Sequence, residues 1–194
     1  MAGKQAKRLS QKQIKTALAY LATTRHPARN RVMFLLSCKA GLRAKEIAGV
    51  TWAMLTDAEG QMVDDLHLTH QVSKGKKGQG GRSIPLCKAL KEALLSLGVP
   101  ERLHQTIIRS ERNDSMSATT VTNWFQRLYR ELGFDGCSSH SGRRTFGTNA
   151  ARLISSAGGS LREVQEMLGH NDLRTTQAYI DSSEGAKRRV IDMI

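Results

Sequence analysis

Aromatic side chains are scarce in this chain: Phe, Trp and Tyr make up 5% of its 194 residues. A surface that stacks single-stranded bases needs more of them, so that mode of nucleic-acid binding is disfavoured. Acid is missing from long stretches. The first 45 residues hold eleven Lys or Arg and no carboxylate before Glu46, and Lys74 to Lys91 adds six more basic residues, again without acid. Cysteine is limited to Cys38, Cys87 and Cys137, widely separated and with no CxxC pair. That pattern points to reduced thiols in a cytoplasmic compartment and away from a disulfide framework. There is no HExxH motif and no cysteine–histidine cluster. His67 and His70 fall on opposite faces of an expected strand, so no metal site is expected. Apolar runs such as Val32–Leu36 are far too short to span a bilayer, and no signal-peptide core follows the basic N-terminus. No internal repeat is visible.

What is present is positive charge in blocks. The formal net charge is +13. One-signed stretches of this kind are the electrostatic footprint of a polyanion ligand, because neutralising phosphates releases counterions and drives binding. The length suits one domain with a real core.

The chain organises into helices around one short β segment. Residues 1–8 read as a basic flexible leader. Ser10-Gln11-Lys12-Gln13 fits a capping box and opens a helix through Leu21. A second helix is expected over about Ala28–Ala40, with Val32, Leu35 and Leu36 on one side. Gly41 can end it in the left-handed conformation, and Arg43 then precedes a short helical turn, Ala44–Ala48. Leu66, Leu68 and Val72 recur at strand period. Ser83–Leu86 reads as the returning strand, with Pro85 marking an edge. The tract KGKKGQGG between them is a hairpin loop; Gly75 and Gly80 have Walker A spacing, but Gly81-Arg82-Ser83 breaks the pattern. Further helices are expected over about Lys88–Ser96, Thr119–Leu132, Ser141–Ser156, Ser160–Leu168, Asp172–Ile180 and Ala186–Ile194. The fold class is therefore α+β: a helix-rich single domain with a small antiparallel β-sheet.

Several residues have the chemistry to hold and attack a phosphodiester. His140 and Arg143 are three apart at an expected helix start and share a face, so both can reach one phosphate. Taken alone, the pair reads better as an exposed polar helix face. His170 follows Gly169 and lies nine positions before Tyr179. On one unbroken helix these two would face opposite ways. Asn171-Asp172 supplies a break, with Asp172 as N-cap of the next helix. Taken alone, Tyr179 reads as a core tyrosine with a satisfied hydroxyl. Arg43 suits either a structural ion pair with Glu46 or a phosphate grip, for which the guanidinium fork is well shaped. Lys74, at the end of the alternating strand, is the lysine placed nearest a reaction centre.

Together these segments resemble the catalytic domain of the tyrosine recombinase (phage integrase) family, from about Leu9 to Asp181. GLRAKEIAGVTW resembles the family's first-arginine segment, VSKGKKGQGGRSIPL its lysine-bearing hairpin, SHSGRRTFGTNAA its HxxR box and LGHNDLRTTQAY its terminal box. The resemblance assigns Arg43, Lys74, His140, Arg143, His170 and the nucleophile Tyr179 as catalytic residues. One departure is Gly142, where the family often has leucine. The small number of residues before the catalytic domain likens the chain to the short recombinases that invert fimbrial promoter segments, without an N-terminal core-binding domain.

The resemblance implies a recombinase catalytic fold over residues 9–181 and a tail helix within 182–194 that docks on a neighbouring protomer. It implies double-stranded DNA as partner, a homo-tetramer on that DNA and a helper such as a DNA-bending protein. The chemistry it implies is cleavage and rejoining through a 3′-phosphotyrosyl link. That link conserves the phosphodiester's energy, so neither ATP nor a metal cofactor is called for. Alternatives are relaxation of DNA in the manner of a type IB topoisomerase, a non-catalytic DNA-binding regulator, and a basic RNA-binding protein. The last explains the charge but not the ordered boxes.

Overall fold

The computed structural model describes residues 5–72, 81–111, 113–179 and 191–192. Helix α1 (Gln11–Ala22) begins where the sequence places it. The Ser10 hydroxyl accepts the Gln13 N–H at 3.2 Å, and the Gln13 side chain accepts the Ser10 N–H at 2.9 Å. These reciprocal bonds satisfy two donors that the first turn leaves open. Ile14, Ala17 and Leu21 form its buried stripe.

Helix α2 (Pro27–Lys39) opens with proline at its first position, where the missing N–H costs nothing. The sequence suggests one apolar side; the structure instead buries every residue from Val32 to Cys38. The helix is the axis of the domain, packed by α1, by α4 (Lys88–Leu95) and by α6 (Ser141–Leu153). An enclosed helix needs no solvent-facing stripe, which is why its periodicity is weak. After Ala40 the chain turns at Gly41, whose φ is +66° and whose absent β-carbon would sit 2.5 Å from the Phe146 ring. Both the conformation and the space require glycine. Helix α3 (Ala44–Gly49) follows at once, with Arg43 as its N-cap.

The sheet is one antiparallel pair, β1 (Asp65–Leu68) and β2 (Arg82–Pro85), in register with Asp65 opposite Pro85 and Leu68 opposite Arg82. Leu66, Leu68 and Ile84 point inward. The alternation that extends to Val72 in the sequence does not continue the strand. Val72 lies in a turn, with its Cγ1 only 1.9 Å from where a β-carbon on Gly49 would be. It is buried by packing on α3, not by pairing in the ladder. The KGKKGQGG tract, with Lys74, lies outside the described residues.

Helix α5 (Ala118–Glu131) is capped by Ser117 and lays Val121, Phe125, Leu128 and Tyr129 against the core beside α3. Helix α6 runs into a short 3₁₀ turn, Ser155–Ala157. Helix α7 (Leu161–Leu168) starts with a Ser160–Glu163 capping box and stops at Gly169, whose φ is +60°. Helix α8 (Leu173–Gln177) is capped by Asp172, which accepts the Arg174 N–H at 2.9 Å. It ends short of the expected Ile180: Tyr179 lies in the turn beyond it, donating its N–H to the Thr176 carbonyl at 3.0 Å. The expected tail helix Ala186–Ile194 falls outside the described residues except for Ile191 and Asp192, which are helical. Of the basic leader, the part nearest α1 is held: Lys7 N–H donates to the Gly136 carbonyl, Arg144 donates to the Ala6 carbonyl, and Leu9 N–H donates to the Thr145 hydroxyl.

The molecule is thus a helix-rich α+β domain with α2 at its centre and the β hairpin at one end against α7. Helices α2 and α6 approach each other closely at Gly142. A β-carbon there would lie 2.3 Å from the Ser37 hydroxyl, 2.8 Å from the Ser37 β-carbon and 2.9 Å from the Cys38 sulfur. This accounts for glycine where the family often has leucine. Gly142→Ala should destabilise the protein by about 1–3 kcal/mol through overpacking, against the helix propensity of alanine. Urea unfolding followed by circular dichroism measures this; equal or greater stability would contradict the helix contact.

Candidate active site

The site is assembled around a buried carboxylate. Glu46, on α3, is 1% exposed. The Arg82 guanidinium meets it as a two-pronged fork, Nη1 and Nη2 each 2.9 Å from a carboxylate oxygen. Arg43 adds its backbone N–H at 2.8 Å and its Nη1 at 3.0 Å. Arg143 Nη1 stands 3.9 Å away. Burial works to raise the carboxyl pKa, but the hydrogen bonds and charges of Arg82 and Arg43 outweigh it and hold Glu46 below the ordinary range.

Arg143 is nearly enclosed. Its Nη1 donates to the Gly41 carbonyl and its Nη2 to the Leu168 carbonyl, both at 2.6 Å. One side chain on α6 therefore ties the turn before Arg43 to the end of α7, just ahead of His170. Burial first, and then the Arg43 charge, lower the Arg143 pKa to about 10, which leaves it protonated at neutral pH. Arg82 makes a parallel tie, donating Nε–H to the Met167 carbonyl at 2.9 Å. It packs against Gly169, where a β-carbon would lie 2.9 Å from its Nη1.

His170 and Tyr179 come together because the chain breaks at Gly169–Asp172 and α8 is short. Their rings stack with centroids 5.7 Å apart and planes 11° apart. His170 Nδ1 is 3.0 Å from the Thr176 hydroxyl, and its carbonyl accepts from the Gln165 side chain at 2.9 Å. Burial, and then the charges of Arg143, Arg43 and Arg82, push the His170 pKa down to about 4. The imidazole is therefore neutral at pH 7. Tyr179 is half-buried and within electrostatic reach of Arg143; its ring lies against Gly147 of α6.

Of the six residues expected from the sequence, the structure brings Arg43, Arg143, His170 and Tyr179 into one place. Arg43 is paired to Glu46, as the ion-pair reading expects, and keeps 26% of its side chain exposed. His140 sits exposed at the N-terminus of α6, one turn before Arg143. Lys74 lies outside the described residues. Sequence reasoning missed Arg82 and Thr176: one is hidden in a Gly/Lys tract, the other in a Thr-Thr pair, and neither has a local signature. Among the described residues no cluster of His, Cys, Asp or Glu could hold a metal ion, and no helix is long and apolar enough to cross a membrane.

Residues 7–185 match the model of the phage integrase family. Tyrosine recombinase XerC of Brucella suis is 29% identical over 163 residues, covering 78% of this chain and 46% of that protein. Tyrosine recombinase XerA of Thermococcus kodakarensis is 29% identical over 179 residues, covering 89% of this chain and 57% of that protein. The chain spans about half the length of these curated relatives. The Tn1549 transposon integrase in complex with transposon right end DNA aligns with a TM-score of 0.73 at 18% identity, over 99% of this chain and 67% of that one. The XerA recombinase crystal structure aligns with a TM-score of 0.67 at 22% identity, over 96% and 64%. Both share this fold.

Glu46→Gln removes the carboxylate that Arg43, Arg82 and Arg143 surround and should cost on the order of 3–5 kcal/mol in urea unfolding, as for one broken member of a buried ion pair. A loss below about 1 kcal/mol would mean that the cluster is solvent-screened. His170 has a folded pKa of about 4, below its ordinary 6.5. The unfolded chain then binds that proton more readily, so the contribution to stability is complete above about pH 6.5 and is lost as pH falls toward 4. His170→Gln should flatten the stability profile across that window. An unchanged slope would show that the imidazole is not desolvated.

Proposed function

This chain belongs to the phage integrase family, and from that premise we propose that it is the catalytic part of a site-specific DNA recombinase. The observation that carries the reading is the convergence of Arg43 and Arg143, from remote segments, beside the stacked His170 and Tyr179. Guanidiniums fixed before substrate arrives are suited to charge that builds on phosphoryl oxygens in a transition state. The relatives and the DNA-bound Tn1549 integrase support the same reading.

In the proposed reaction the Tyr179 phenolic oxygen attacks the scissile phosphorus of double-stranded DNA. Arg43 and Arg143 hold the non-bridging oxygens. One of His140 and His170 takes the phenol proton, since a phenol with a pKa of about 10 needs a base at neutral pH. The bond to the 5′-oxygen breaks, and Lys74 protonates that leaving group. The product is a 3′-phosphotyrosyl link and a free 5′-hydroxyl. Attack by a partner strand's 5′-hydroxyl reverses the chemistry on a new strand and frees the tyrosine. Strand exchange between two duplexes calls for four protomers on DNA, with the segment Ala186–Ile194 docking between neighbours and a DNA-bending protein as helper. The setting is the cytoplasm. The outcome is integration, excision, or inversion as in the short fimbrial recombinases that the sequence resembles.

Nicked duplexes cut from the DNA flanking the coding sequence trap the covalent link. The wild-type chain should form a protein–DNA band resistant to denaturant. Tyr179→Phe should bind the same DNA and form none, and Arg43→Ala should slow adduct formation by about 10²- to 10³-fold. A covalent band from the phenylalanine variant would overturn the nucleophile assignment.

A further inference from the structure

The Thr176 hydroxyl is completely buried, and among the described residues its hydrogen-bond partner is Nδ1 of His170, at 3.0 Å. Two arrangements fit that distance. In one, Nδ1 carries the proton and donates to the hydroxyl oxygen. The threonine proton is then left buried without an acceptor, because among the described residues the hydroxyl has no hydrogen-bond partner besides this ring nitrogen. In the other, the threonine O–H donates to a bare Nδ1 and every buried donor is met. An unmet donor on a fully buried hydroxyl is costly, so the second arrangement wins.

We infer that Thr176 is a positioning residue that fixes His170 as the Nε2–H tautomer, which makes His170 a hydrogen-bond donor to the scissile phosphate and not the base for Tyr179. The inference rests on the recombinase reading for the identity of the phosphate, but not for the tautomer. The imidazole is a neutral ring with one nitrogen bare and one protonated. Its surroundings keep it neutral: among the described residues Arg43, Arg82 and Arg143 face it, with Glu46 as the counter-charge and the Tyr179 phenol across its face. Its orientation is fixed at three points, by Gln165 at its carbonyl, Thr176 at Nδ1 and Tyr179 along the ring. Nε2 is the ring atom left for substrate. The phenol proton then falls to His140, which is exposed at the start of α6.

The test reads the tautomer directly. In the full chain labelled with ¹⁵N at histidine, two-bond ¹H–¹⁵N correlation at pH 7 distinguishes a protonated ring nitrogen from a bare one, and loss of the signals in His170→Gln assigns them. Wild type should show Nε2 protonated and Nδ1 bare. Thr176→Val should give a mixture of tautomers, and Thr176→Ser should restore the wild-type pattern. On a nicked duplex that traps wild type, Thr176→Val should slow adduct formation on the order of tenfold with DNA affinity unchanged, and Thr176→Ser should recover it. Nδ1 protonated in wild type, or a valine variant with an unaltered tautomer, overturns the inference. A wild-type chain with the expected tautomer and no covalent adduct on any flanking DNA instead counts against the recombinase reading alone.

Discussion

A single buried carboxylate makes the rest of this site possible. Three guanidiniums within a few ångströms of one another repel strongly in a medium that screens poorly. Glu46 is what lets Arg43, Arg82 and Arg143 gather there. Its two oxygens take up the whole Arg82 fork and one prong of Arg43. The residue lies three positions after Arg43 on a helix of a little over one turn. The local chain that presents the partly exposed arginine therefore also supplies its counter-charge.

Arg143 and Arg82 do mechanical work as well as electrostatic work. Each donates to a backbone carbonyl near the end of α7, at Leu168 and Met167 respectively. That helix end carries orphan carbonyls, and cationic donors are their natural partners. The position of His170, two residues further on, is thereby fixed from α6 on one side and from β2 on the other. The β hairpin, a marginal element by itself, is anchored to the domain through the same arginine.

Much of this was legible in the sequence where the governing rule is local. The capping box at Ser10 and Gln13, the left-handed stop at Gly41 and the break at Asn171-Asp172 are each set by a few adjacent residues, and each sits where expected. The spacing of His140 and Arg143 suggests a shared face, but the structure leaves His140 exposed and encloses Arg143. The failures share one cause, which is tertiary contact. Arg82 lies in a tract that reads as loop, and its partners are 36 and 85 residues away in the chain. The apparent strand position of Val72 reflects packing on Gly49. The one-sided reading of α2 failed because neighbours cover it all round. The role of Thr176 depends on a bond to a ring whose placement no periodicity reveals.

Among the described residues, three positive groups share one negative one, so the cluster keeps an excess of positive charge. On the proposed function, an incoming phosphodiester is the missing counter-ion. Its arrival relieves repulsion that the fold otherwise tolerates, so occupancy and folding are linked. On the proposed function, the duplex is a ligand that tightens the protein, and high salt, by weakening that association, withdraws the benefit.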